Sequence, residues 1–182
     1  MEDAVGPGPI RSGDDDRLRL LKQLGFDDLE HDSHVPFMSH LVGTARLLRS
    51  WGCRQALCDG GLFHSAYGTE YFEVAEGADR SAVSAVIGAD AERVAWLWCT
   101  IRRDTLDPAT QQAVDRRTGQ IIDLSEQDVS DIATLWVADT VEQIARMAPD
   151  ERSFASGLMA VAGQAEPAAR QAVEAIRPLI DA

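Results

Sequence analysis

The chain has 182 residues, 45% of them apolar, and a formal net charge of −13. That is about one domain with material for a real core, and the acidity excludes the basic footprint of a nucleic-acid binder. No apolar run reaches the roughly 18 residues of a membrane span, and Cys53, Cys58 and Cys99 lack the spacing of a zinc ribbon or the pairing of a disulfide framework.

Residues 1–16 hold Gly, Pro and three consecutive Asp and read as a flexible tail, with one domain over 17–182. The N-terminus lacks a basic stretch followed by an apolar one, so no secretion signal is read and a cytoplasmic location is expected. "DRLRLLKQLG" predicts a short amphipathic helix ended by Gly25, and "HDSHVP" a loop whose Pro36 suits the first turn of the next helix. In "FMSHLVGTARLLRSWG", Phe37, Leu41, Thr44, Leu48 and Trp51 share one face and Gly52 ends the helix. "RQALCDGGLFHS" follows, and its paired glycines predict close packing.

"ADRSAVSAVIG" and "ADAERVAWLWCTIRR" predict two more helices with Asp79 and Asp90 as N-caps. Residues 112–124 predict a small β-hairpin around Thr118-Gly119. Ser125 with Asp128 predicts a capping box opening the long helix "EQDVSDIATLWVADTVEQIARM". Ala-rich helices at 151–163 and 167–179 close an all-α helical bundle, and they are the candidate face for a second copy or a partner protein.

The candidate chemistry begins at "GLFHSAYGTEYF", where an apolar helix runs into His64, Ser65, Tyr67, Thr69 and Glu70. His40 and His64 each lie in an apolar helical setting, twelve residues either side of Gly52, so folding at that turn brings the imidazoles to similar heights. Asp139 falls on or next to the apolar stripe of the long helix, and a carboxylate taken out of water requires a partner or a cation. Two histidines and an aspartate suit one divalent transition metal, iron, manganese, cobalt, nickel or zinc; a metal-free acid–base group is the other reading. Tyr67 is a candidate proton donor and Glu70 a candidate base; packing and helix capping account for the same residues equally well. Arg102–Arg103 and Arg116–Arg117 are the basic pairs of an acidic chain, either clamps for an anionic ligand or solvated surface doublets.

The order His40, then "GGLFHS" with His64-Ser65, then Asp139 inside "LWVADTVEQI" resembles the HD superfamily over about residues 30–145. "FMSHLVGTARLLRSWG" with "QALCDGGLFHSAYGT" resembles the His-to-HD segment of its ppGpp-hydrolase-type members, in a variant carrying His-Ser and Tyr-Gly-Thr-Glu. The resemblance implies an all-α fold and metal-dependent phosphohydrolase chemistry, with His40, His64 and Asp139 as the ligands; His34, six residues before His40, is a further candidate nitrogen that the motif itself does not supply. The departure is Ser65, which stands where the family has a metal-ligating aspartate. A serine hydroxyl stays protonated near neutral pH, so the expectation is one metal or none. Glu70 is then an extra ligand or a base, and Ser65, Thr69, Arg102 and Arg103 are substrate contacts.

Three functions follow as expectations. The first is metal-dependent hydrolysis of a phosphate ester of a small anionic metabolite. The second is a biosynthetic tailoring enzyme: metal-free elimination or cyclisation with loss of an anionic leaving group, or oxygenase chemistry at the metal. The third is a non-catalytic binding or assembly protein that keeps the fold.

Overall fold

The structure is a computed structural model that describes residues 12–26, 36–70, 78–149, 152, 155 and 157–180. Eight α-helices are described: α1 (Ser12–Gln23), α2 (Phe37–Ser50), α3 (Gln55–Leu62), α4 (Arg80–Ile87), α5 (Ala89–Thr100), α6 (Glu126–Gln143), α7 (Leu158–Val161) and α8 (Pro167–Ile180). Between α5 and α6 lies an antiparallel sheet in the order β1 (Ile101–Asp107), β2 (Gln112–Asp115), β3 (Ile121–Asp123). The fold is mainly helical with this small sheet added. Among the described residues no helix is long and apolar enough to cross a membrane.

Helix α6 is the centre of the bundle. Its first turn is closed by the expected capping box: Ser125 Oγ accepts from the Asp128 backbone N–H, and Asp128 Oδ2 accepts from the Ser125 backbone N–H. From Ile132 to Thr140 every residue is buried, because α2, α3, α5 and α8 all pack around it. Asp139 therefore lies on a helix covered all round, not at the wet edge of a stripe.

Helices α2 and α3 form the expected antiparallel pair, and the pairing depends on two missing side chains. A Cβ on Gly61 would collide with the Leu48 side chain of α2, and one on Gly60 would lie 2.7 Å from Val94 Cβ of α5. α3 thus sits between α2 and α5 with its backbone almost touching both, which accounts for the paired glycines. Polar ties fix its other side: Arg17 of α1 donates to Asp59 Oδ2 at 2.7 Å, and Arg54 pairs with Asp131 of α6. On α2 the buried face is Phe37, His40, Leu41, Thr44, Ala45 and Leu48; Trp51 is only partly buried.

Several expectations shift. Helix α1 starts at Ser12, inside the segment read as a tail. Asp79 caps α4 through the Ser81 backbone N–H, but α5 opens at Gly88 and Asp90 lies within its first turn. The chain leaves α5 at Thr100, so "IRR" is not helical: Ile101 pairs with Asp115 and Arg102 with Val114. The expected hairpin is present as β2 and β3, and β1 makes it three-stranded. The helix read at 151–163 is a single turn, Leu158–Val161, among the described residues of that stretch.

Candidate metal centre

His40 points from the buried face of α2, and His64 lies in the turn just beyond α3, whose last helical residue is Leu62. Asp139 comes from the last turns of α6. His40 and His64 are each 2% exposed and Asp139 is 9% exposed. His40 Nε2 lies 3.1 Å from His64 Nε2 and 3.1 Å from Asp139 Oδ1, and His64 Nε2 lies 3.4 Å from the same oxygen.

The outer nitrogens decide what the inner ones offer. His64 Nδ1 is 2.6 Å from the Gly61 carbonyl oxygen, an acceptor only, so Nδ1–H donates there. His40 Nδ1 is 2.6 Å from Glu142 Oε2, and Nδ1–H donates to that carboxylate. With both Nδ1 atoms acting as donors, the neutral rings turn their Nε2 lone pairs toward Asp139 Oδ1. Three acceptors then face one another in a buried space, an arrangement stable only around a cation, either a proton or a metal ion.

The donor set fits a metal. At bonds of about 2.1 Å, ligand separations are roughly 3.0 Å on an octahedral edge and roughly 3.4 Å on a tetrahedral one. The observed separations, 3.1, 3.1 and 3.4 Å, fall within that range. Among the described residues, His40, His64 and Asp139 form the cluster that could hold a metal ion. Without a metal, the proton belongs to His40. Burial lowers its basicity, but hydrogen bonds and charge from Asp139 and Glu142 outweigh this and raise its pKa to about 9. Burial pushes Asp139 upward, yet the two histidines hold its carboxyl well below the usual carboxylate range.

The other candidates divide. Ser65, 3% exposed, and Thr69, 8% exposed, are buried on the chain that leaves His64, and neither is one of the three converging groups. Gly68, with φ +75°, lets the chain turn sharply between them. Tyr67 donates its hydroxyl to Glu92 Oε1 at 2.9 Å, and Arg80 holds both oxygens of Glu92. Burial and then the Glu92 carboxylate raise the Tyr67 phenol above its ordinary range. That makes Tyr67 a poor acid, tied into a network of its own.

Glu70 Oε2 lies 3.1 Å from the Arg103 guanidinium, and Oε1 accepts from the Arg103 backbone N–H. Arg103, 6% exposed, stacks 4.4 Å over Trp98, whose ring meets His64 edge-on with centroids 6.0 Å apart. Arg102 alternates to the opposite face of β1, where its exposed side chain pairs with Asp104. The structure thus brings His40, His64 and Asp139 together, sets Arg103 and Glu70 beside Trp98, and places Arg102 elsewhere. His34, expected as a further ligand, lies outside the described residues.

The sequence reading missed Glu142. Its signal was present, since Glu142 follows Asp139 by three residues and shares its helical face.

Residues 20–103 are similar to a family described as a domain of unknown function, DUF6817. That stretch carries His40 and His64 but ends before α6, so Asp139 and Glu142 lie outside it. No curated protein and no solved structure matches the chain.

Proposed function

We propose that this chain is an HD-like enzyme that holds one divalent transition metal on His40, His64 and Asp139 and hydrolyses a phosphate ester of a small anionic metabolite. The observation that carries this reading is the convergence of two imidazole lone pairs and one carboxylate oxygen within 3.1–3.4 Å. A metal bound there supplies Lewis acidity toward a phosphoryl oxygen and makes water acidic enough to attack. Three protein ligands leave coordination positions open, the pattern of a catalytic rather than a structural site. Ser65 in place of an aspartate favours one metal over two.

The protein's own groups have distinct tasks. The Gly61 carbonyl holds the His64 ring by its outer nitrogen, and Glu142 does the same for His40. Phe37, whose ring lies 6.0 Å from that of His40, and Trp98 flank the pair with apolar surface that keeps bulk water out. Arg103 is the buried cation beside Trp98, and it receives the substrate's anionic oxygens if its pairing with Glu70 opens.

One observation supports a second reading, metal-free acid–base catalysis. His40, with its pKa raised to about 9, carries a proton near neutral pH beside the acceptor His64. Elemental analysis of the purified protein and of His64→Ala separates the two. About one equivalent of a transition metal, lost in the variant, supports the metal centre, and a screen of phosphate esters with an oxygen-uptake control then tests the reaction. If no metal is found, even after reconstitution, the metal reading falls. Turnover that survives chelation would then mark the acid–base alternative.

A further inference from the structure

Glu142 lies outside the three converging atoms yet is bonded to one of them. Its Oε2 accepts from His40 Nδ1–H at 2.6 Å, and Arg146, one turn further along, lies 2.7 Å from the same oxygen. The Glu142 side chain is largely buried, with 11% exposure. Space for it exists because α2 carries no side chain at Gly43, three residues after His40. A Cβ there would lie 2.9 Å from both Cγ and Oε1 of Glu142. Asp139 and Glu142 are three residues apart on α6, so a single helix face addresses the inner nitrogen of His40 with one carboxylate and the outer nitrogen with the other.

We propose that Glu142 is a positioning residue for the metal centre, fixing the tautomer and orientation of His40, and that Gly43 is the clearance this contact requires. The inference rests on the metal reading above. A carboxylate on the outer nitrogen of a ligating histidine holds the ring in the donor orientation and makes the inner nitrogen a stronger donor. Gly61 O does only the first for His64, since a carbonyl carries no net charge. The two histidines are therefore unequal, with His40 the stronger donor. Arg146 moderates the carboxylate and ties it to the end of α6.

The test is titration of the full chain with Co²⁺, read by its visible absorption. In wild type, Co²⁺ binds with loss of affinity in His64→Ala. Glu142→Gln keeps an acceptor for Nδ1–H but removes the charge, and is expected to bind Co²⁺ about 10–100-fold more weakly with a shifted spectrum. Gly43→Ala, which displaces an intact Glu142, is expected to shift the spectrum in the same sense. Its effect should vanish in a Glu142→Ala background, where no side chain remains to displace. If Glu142→Gln does not fold, the Gly43→Ala comparison in the two backgrounds decides. Unchanged Co²⁺ affinity and spectrum in these variants, beside a wild type that binds, overturn the positioning role alone. A wild type that binds no Co²⁺ overturns the metal reading, and this role with it.

Discussion

Two buried polar clusters grow from the same short turn, one at His64 and one three residues later at Tyr67, and they are built on opposite principles. At Glu92, the Tyr67 hydroxyl and two Arg80 nitrogens deliver donors to a pair of carboxylate oxygens, so donors and acceptors match. At His64, two imidazole nitrogens and Asp139 Oδ1 deliver acceptors to one another, because both outer nitrogens already donate elsewhere. A cluster that satisfies itself holds the fold together. One that leaves acceptors facing acceptors requires a cation, and there ligand chemistry is expected.

The contrast breaks most visibly at Asp139. Asp139→Asn keeps the shape but removes the charge, and metal binding is expected to be lost in calorimetric titration. The metal-free variant should also lose about 3–5 kcal/mol of stability in denaturant unfolding, the usual cost of taking one partner from a buried ion pair.

Titration sharpens the same contrast. A metal must displace the His40 proton, so metal affinity is expected to rise about tenfold per pH unit up to about pH 9, then level off. The metal-free protein runs the other way. The pKa of His40 is raised on folding, so its contribution is full below 6.5 and lost as pH rises through about 9. Asp139 is depressed, so its contribution is present above its ordinary 3.8 and lost on acidification below that. Thermal unfolding from pH 6 to 9.5, with and without metal, should therefore show the two curves diverging.

The self-satisfied cluster predicts a smaller effect confined to stability. Glu92→Ala leaves the Tyr67 hydroxyl buried without its acceptor and is expected to cost about 1–3 kcal/mol, with metal affinity unchanged. The smallest effect belongs to Arg102→Ala. Its exposed pairing with Asp104 predicts a change within about 0.5 kcal/mol and no change in metal affinity. A large loss of metal affinity in Glu92→Ala would mean that the two clusters are coupled.

Much of the helical frame was legible because it is encoded locally. The Ser125–Asp128 capping box, the Asp79 cap, the turn at Gly52 and the buried face of α2 all follow from residues within a turn or two of one another. Strand β1 was not legible: "CTIRR" continues an amphipathic helix well enough, and only pairing with β2 draws it out. That miss matters for the site, because strand alternation buries Arg103 and exposes Arg102 where a helical reading treated them as a pair.

By itself the sequence singled out His40, His64 and Asp139 as the candidate ligands, since they are the right types on or beside helices whose spacing could align them. Only the tertiary structure decided their roles. Whether an imidazole offers a lone pair or a proton depends on what its other nitrogen touches, and those contacts, Gly61 O for His64 and Glu142 for His40, were not identified from the sequence. The Glu142 contact reaches across from α6 to α2, through the gap at Gly43, and joins residues 102 positions apart. Local periodicity places a side chain on a face; the balance of donors and acceptors at the meeting point is a property of the assembled core.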